Sequence, residues 1–166
     1  MQLSFSKIFK NIPSKKEILF LNQLGIKYAH VWVPIHDLNI EKIYEMKQNL
    51  LENNIILWMV GCLDLCKNEK IILNLPGRNS EIIKFIKMLE ILGKLNIPVS
   101  VFTWEPSGVW SSGLKETRGA ITRYVDADEM KSRPYTHNRK YTYSELEKNF
   151  HYLIKSIKKV ATDNGI

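Results

Sequence analysis

The sequence predicts an α/β fold of about four βα units with parallel strands. Three observations support this. Short, near-continuous apolar runs alternate with amphipathic helical stretches, and the joints between them repeat. The 166 residues give room for half of a (β/α)₈ barrel, which needs about 250 residues. We therefore expect a single domain over residues 1–166, a partial TIM barrel truncated before strand five.

The first unit opens with a candidate strand, Gln2 to Phe5. Ser14 and Glu17 have the spacing of a capping box, which satisfies free amides at a helix start. The helix that follows stops at Gly25, because glycine readily takes the left-handed conformation that ends helices. Strand two then covers Tyr28 to Val33.

The second unit begins where Asn39 can cap a helix. The helix has one apolar face and ends at Asn53-Asn54. Strand three follows directly, from Ile55 to Val60. The apolar face is formed by Ile43, Met46, Leu50 and Leu51.

In the third unit, Ser80 is expected to cap a helix that runs through Leu95, and Val99 to Thr103 is strand four. A long segment follows, Trp104 to Tyr141, which exceeds ordinary loop length and is therefore expected to be functional. A last helix begins near Tyr143 and ends at Asn164-Gly165.

The joints from helix to strand form an internal repeat. Each has a residue that tolerates positive φ followed by isoleucine. After the last joint no strand follows in the 166 residues, which again suggests four units of eight. The joints are Leu24-Gly25-Ile26, Asn53-Asn54-Ile55, Leu95-Asn96-Ile97 and Asn164-Gly165-Ile166.

Composition excludes several classes of protein. With 45% hydrophobic residues the chain is not disordered. The net charge of +7 comes mostly from lysines spread over the helices, so they are expected to form solvated outer faces and no nucleic acid is expected to bind. The sequence lacks an apolar leader and a run of eighteen apolar residues, which predicts no membrane contact and a cytoplasmic location.

Metal binding is not expected either. Cys62, Asp64 and Cys66 offer donors after strand three. One C-x3-C pair, however, lacks the second pair that makes a zinc site convincing. We therefore expect reduced thiols and assign no metal ligands.

The candidate site lies past strand four. Trp104, Glu105, Trp110 and Arg118 follow the strand's end, where parallel α/β folds bind ligands. Indole faces stack on sugar C–H groups, and a guanidinium can bind a carboxylate with two hydrogen bonds. Alternatively, the tryptophans fill the mouth of the barrel and Arg118 pairs with Glu105 or Glu116.

Two histidines belong to the second unit. His30 lies within strand two and is expected to be a core or barrel-wall residue. His36 follows Pro34 in the loop above that strand. It is the better candidate for a substrate contact.

Several motifs stand in the second half of the chain: the strand ending TW, the W six positions on, T-R-G-A, D-A-D-E-M and the helix YSELEKNFHYLIKSIKKVATDNGI. With these motifs the sequence resembles the N-terminal half of mannonate dehydratases, TIM-barrel lyases of the xylose-isomerase-like type. The resemblance covers Gly77 to Ile166 well and Met1 to Val60 loosely.

The resemblance implies a reaction and a cofactor. The family uses Mn²⁺ or Fe²⁺ to dehydrate D-mannonate to 2-keto-3-deoxy-D-gluconate, in hexuronate catabolism. Its metal ligands come from strands after the fourth, so no bound metal and no activity are expected for this chain alone. The resemblance implies substrate contacts for Trp104, Trp110 and Arg118, and less directly for Glu105.

Two other functions stay open. The chain could be a non-catalytic half-barrel, truncated or split, that needs a complement. It could also be a sugar isomerase or epimerase of the same barrel type. Isomerised product would favour the latter.

Incomplete closure predicts association. Four units leave two strand edges and a concave apolar inner face uncovered, so we expect self-association or a complementary half-barrel as partner, besides a sugar-acid substrate. Alternatively, the Trp104 to Tyr141 segment folds over this face. The expected lining is Val31, Val33, Leu57, Met59, Val101 and Thr103.

Overall fold

A computed structural model describes residues 13–108, 110–137 and 139–166, and the backbone of 4–7. Its main sheet has four parallel strands in the order β1-β2-β3-β4. This confirms the predicted parallel half-barrel. The strands are β1 (Ser4–Lys7), β2 (Tyr28–Val33), β3 (Ile56–Cys62) and β4 (Val99–Val101). Of the predicted first strand, Gln2 and Leu3 lie outside the described residues.

Four long helices connect and cover these strands. They are α1 (Lys15–Gln23), α2 (Ile40–Glu52), α5 (Arg78–Lys94) and α7 (Tyr143–Asp163). Three helices are short: α3 (Leu63–Cys66), α4 (Glu69–Ile72) and α6 (Ala127–Ser132). A separate antiparallel hairpin consists of β5 (Gly113–Thr117) and β6 (Ala120–Tyr124). The predicted long segment after strand four is thus partly regular structure.

Side-chain caps start three of the long helices. Ser14 and Glu17 form the predicted capping box of α1, and Thr142 and Glu145 form an equivalent box at α7. The Asn39 side chain accepts a hydrogen bond from the Lys42 amide at the start of α2. Each cap satisfies amides that lack partners within the helix.

The predicted start of the third long helix is wrong. Ser80 lies inside α5, which begins at Arg78 after an N-cap glycine, Gly77, with φ of 88°. The reason is that the left-handed backbone of Gly77 starts the helix without a side-chain cap, so Ser80 is not needed as one. A serine within the first turn resembles a cap in sequence alone.

The repeated joints are confirmed. Positive φ occurs at Gly25 (67°), Asn54 (62°), Asn96 (51°) and Gly165 (71°). At each joint the isoleucine amide donates to the carbonyl five residues earlier, with N···O distances of 2.9–3.1 Å. This six-to-one hydrogen bond is the Schellman closure of a helix end. The same hydrogen-bonded helix end therefore occurs at all four joints.

The core lies between the sheet and the helices. Along β2 buried and half-buried residues alternate, and Ala29, Val31 and Val33 are at most 1% exposed. Because side chains alternate across a strand, these three face the helices. The prediction that Val31, Val33 and Leu57 line the inner face is wrong: all three are buried in the helix-side core.

The opposite side of the sheet is termed the open face. It consists of Tyr28, His30 and Trp32 of β2 with Met59 and Val101, which lie in register with them through the strand pairing. All five are half-buried. The register of β2 and β3 shifts between Ala29 and His30, so Trp58 is an extra residue there. Trp58 is 41% exposed and contacts the Tyr28 ring edge to face at 5.8 Å.

Candidate functional site

The loops at the carboxyl ends of the strands are joined through α3. Asp64, on α3, accepts a hydrogen bond from the Ile35 amide of the loop after β2, with an N···O distance of 2.6 Å. On the other side, the Thr103 amide donates to the Cys66 carbonyl at 2.9 Å, and Cys66 Sγ lies 3.0 Å from Thr103 Oγ1. The rim above β2, β3 and β4 is therefore one connected unit.

Glu105 pairs with a cation that the sequence analysis missed. Its Oε2 atom lies 2.6 Å from Lys67 Nζ. Within the described residues, Arg118 pairs with neither Glu105 nor Glu116. The Oε2 atom is buried and, among the described residues, accepts no well-directed hydrogen bond. The contact is therefore an ion pair rather than an aligned hydrogen bond. The loop after β4 is held to α3 by charge.

Trp104 lies on the helix side of the sheet. Its ring meets Phe150 of α7 at a centroid distance of 5.2 Å and an angle of 77°, which is a favourable edge-to-face contact. Trp104 also lines a mostly apolar cleft of about 440 Å³. The other lining residues are Pro106, Tyr143, Leu146, Glu147, Phe150 and His151.

Trp110 lines a second, smaller cleft of about 200 Å³. Its indole N–H donates to the Ser107 carbonyl at 2.8 Å. Two cations, Arg139 and Lys140, share this cleft. His137, also in its wall, has Nε2 2.7 Å from the Pro106 carbonyl oxygen. The cleft thus combines an indole, two cations and hydroxyl groups. The sequence analysis did not single out Arg139 and Lys140, because the end of the Trp104 to Tyr141 segment contains no motif.

Arg139 is fixed by its neighbours. Its guanidinium lies 3.8 Å from the centre of the Tyr141 ring and 2.9 Å from Glu145 Oε1. The pKa of the Glu145 carboxyl falls to about 2, chiefly because the Thr142 amide and hydroxyl donate to it and secondly because Arg139 does. The pKa of Arg139 is raised by the same hydrogen bond. The pair ties the end of the long segment to the start of α7.

Arg118 lies apart from the tryptophans. It occupies the two-residue turn between β5 and β6 with φ of 53°, followed by Gly119 with φ of 73°. Positive φ at both turn residues is typical of a type I′ hairpin. Arg118 is exposed, lines neither cleft and forms no ion pair within the described residues.

His36 is also exposed. Its ring Nε2 lies 3.8 Å from Asp37 Oδ1, and 76% of its side chain is accessible. Asp37 is buried and pairs more closely with Lys42, at 2.6 Å. The structure therefore does not bring His36 to Trp104 or Trp110 in either cleft.

The described residues do not fit a Mn²⁺ or Fe²⁺ ion. No group of three His, Cys, Asp or Glu side chains among them is placed to hold a metal. Cys62 and Cys66 are buried free thiols, and burial raises the pKa of Cys62. No chemical step is therefore assigned to a metal on this part of the chain. In the same ranges, no helix is both long and apolar enough to cross a membrane.

Comparison with known proteins finds similarity only in structure. No protein-family model matches the sequence, and no curated protein matches it in sequence. The whole chain superposes on a mannonate dehydratase from Streptococcus suis serotype 2 with a TM-score of 0.72 and 20% identity. It also superposes on a D-psicose 3-epimerase from Clostridium cellulolyticum H10, with a TM-score of 0.59 and 15% identity. A further D-psicose 3-epimerase structure gives 0.56 and 16%.

In every case the chain spans 50% of the matched structure. These likenesses establish the fold, half of a TIM barrel. Identities of this size do not establish a reaction.

Proposed function

We propose that the chain is one half of a mannonate dehydratase-like lyase that acts on a sugar acid. The observation that carries the proposal is the whole-chain superposition on a mannonate dehydratase, with a TM-score of 0.72 against 0.59 and 0.56 for the two epimerases. The motifs of the strand-four segment also resemble this family, although no family model matches the sequence.

The clefts beyond β4 support a polyhydroxy-acid substrate. Trp104 and Trp110 offer indole surface to sugar C–H groups. Arg139 and Lys140, beside Trp110, offer positive charge to a carboxylate. Among the five predicted contacts, these two tryptophans are the best placed.

The remaining predicted contacts are proposed with a different role. Glu105 is held by Lys67 at the same rim and can orient the loop that carries Trp104. Arg118 and His36 project from exposed positions. They would contact substrate only if further parts of a barrel approach this rim.

We further propose that activity needs a complementary half-barrel, on the same polypeptide or on another. The open face exposes Trp58 and half-buries Tyr28 and Trp32, although aromatic side chains contribute most when buried. In the described residues β4 pairs only with β3. A strand added beside β4 would continue the barrel and cover these rings. The Mn²⁺ or Fe²⁺ that the resemblance implies would then be held by the complement.

Substrate binding is tested by tryptophan fluorescence. D-mannonate is titrated into the chain and into the Trp110→Phe and Arg139→Gln variants, with D-fructose and D-psicose as competing sugars. We expect saturable quenching by D-mannonate that both variants weaken by about tenfold, the loss of one charged or stacking contact. Trp58→Phe, outside both clefts, is the matched control and should bind normally.

The reaction is tested by product analysis of the longest natural form of the protein. Formation of 2-keto-3-deoxy-D-gluconate from D-mannonate supports the proposal. The second candidate, a sugar epimerase, rests on the two epimerase superpositions. Epimerised ketose with no dehydrated acid would establish that function instead. Neither product, with no sugar binding, would favour a non-catalytic half-barrel.

A further inference from the structure

The β5–β6 hairpin is unusually exposed for a regular element. Of its ten strand residues only Tyr124 is half-buried, and the rest are exposed. A two-stranded hairpin is at best marginally stable alone in water. It nevertheless presents Leu114 at 67% and Ile121 at 77% exposure. These two apolar side chains are exposed and therefore accessible to a binding partner.

One face of the hairpin has a diagonal pattern. Leu114 lies opposite Arg123, and Glu116 lies opposite Ile121. Because side chains alternate along a strand, these four residues share one side, termed the Leu114 face. The other side includes Lys115, whose Nζ lies 5.5 Å from the centre of the Tyr124 ring. The Leu114 face therefore has two apolar corners on one diagonal and an acid and a base on the other.

This pattern is complementary to itself. Opposite residues are about 5 Å apart, and alternate residues along a strand are about 7 Å apart. A two-fold axis along the Leu114–Ile121 diagonal would place each apolar side chain on its own copy. The same rotation would place Glu116 on Arg123 of a second chain, twice. Axes along or across the strands would instead place charges on apolar groups.

We propose that the Leu114 face binds the Leu114 face of a second copy of this chain, with the hairpins crossing at a steep angle. Self-complementary patches of this kind form isologous two-fold contacts, and steep crossings are a known packing of sheets. The proposal is independent of the proposed function, since none of the four residues lines either cleft.

Charge supports a second copy rather than another partner. Within the described residues neither Glu116 nor Arg123 forms an ion pair, so both are available to a partner. The chain carries a net charge of +7, which makes two copies repel in most orientations. The Leu114 face is locally neutral and pairs acid with base. It therefore lets two basic chains approach.

Sedimentation velocity of the full chain over a concentration series tests the proposal. The chain should dimerise. Glu116→Arg and Arg123→Glu should each weaken the dimer by at least about tenfold, because each places like charges together in both halves of the contact. An equimolar mixture of the two variants should recover dimerisation, since each chain then supplies the charge that the other lacks.

The mixture separates the proposal from a structural defect. Each single variant keeps its own altered hairpin in the mixture, so a misfolded hairpin would not recover. Thr122→Glu, on the opposite face, is the matched control and should dimerise like the unmodified chain. A monomer at all concentrations, a dimer insensitive to both variants, or a mixture that stays monomeric would each overturn the proposal.

Discussion

The indole of Trp32 lies directly over the backbone of Gly61, on the neighbouring strand. A Cβ atom at Gly61 would stand 2.7 Å from two ring carbons of Trp32 and 3.0 Å from a methyl group of Val101. Contacts that short do not persist, so residue 61 must be glycine for Trp32 to hold its position on the open face. Packing across β2, β3 and β4 is therefore coupled at this point.

We expect Gly61→Ala to destabilise the chain by about 1–3 kcal/mol, the usual cost of overpacking. Chemical denaturation followed by circular dichroism measures it. In a Trp32→Ala background the same substitution should cost much less, because the obstructing ring is gone. An equal cost in both backgrounds would show that the indole is not the obstacle.

The capping box at α7 makes the start of this helix sensitive to acid. The folded pKa of Glu145 is about 2, below its ordinary value of 4.5. A lowered carboxyl pKa contributes stability that is present above the ordinary value and is lost as pH falls through the folded value. We therefore expect the α7 cap to weaken between about pH 4.5 and 2, seen by NMR titration of the Glu145 carboxyl carbon.

Thr142→Ala should raise the pKa of Glu145 part of the way toward its ordinary value, because it removes the Thr142 hydroxyl, the second-largest cause of the shift, and keeps the amide donor. It should also cost about 1 kcal/mol of stability, as lost caps generally do. Ser144→Ala changes a neighbouring exposed hydroxyl outside the box and should leave both quantities unchanged. An unaltered titration in Thr142→Ala would contradict the role of the box.

We expect the Asp64 carboxylate to stabilise the loop that follows β2. Asp64→Ala removes the carboxylate oxygen that accepts the Ile35 amide hydrogen bond at 2.6 Å, and we expect a loss of about 1 kcal/mol because the site is exposed. Hydrogen exchange at the Ile35 amide should accelerate locally. Asp64→Asn keeps an acceptor oxygen and should show a smaller change. Equal protection in all three chains would exclude this tie.

The thiols should be inert while the chain is folded. Cys62 and Cys66 are buried, and burial raises the pKa of Cys62, which keeps it protonated and unreactive. We expect slow reaction with an aromatic disulfide reagent at pH 8 and rapid reaction of two thiols after denaturation. Fast reaction in the native state would show that the rim around α3 opens readily.

The boundaries of the βα units could be predicted because they depend on a few neighbouring residues. The residues that tolerate positive φ, such as Gly25, Asn54 and Asn96, determine each joint whatever surrounds them. The predicted capping box at Ser14 likewise depends on a few neighbouring residues. These features are set within one turn of chain, so sequence alone reveals them.

It was harder to predict which side chains of each strand point toward the helices. Both sets of alternating residues in β2 are apolar or aromatic, so the pattern does not say which set meets the helices. The extra residue Trp58 then changes the parity within β3. Assigning the buried valines to the inner face therefore failed, although the strand itself was placed correctly.

The sequence predicted that the candidate site follows strand four, but not how its side chains are arranged in space. Arg118 looked close to Trp110 in sequence, yet an Arg-Gly turn closes a hairpin that extends it away from both clefts. Turns of this type more often contain Asn-Gly, so the signal was weak. The pairing of Glu105 with Lys67 depends on contact between separate loops, which no local pattern encodes.

The shortness of β4 limits aggregation. A strand edge offers unpaired amides and carbonyls to any chain, and long flat edges nucleate fibrils. At three residues, Val99–Val101, β4 offers few such groups, and the chain then turns away through Thr103, whose amide is already bonded to Cys66. An incoming strand gains little from β4 alone and must also match the aromatic open face. The β4 edge can therefore remain open without becoming a template for indiscriminate strand addition.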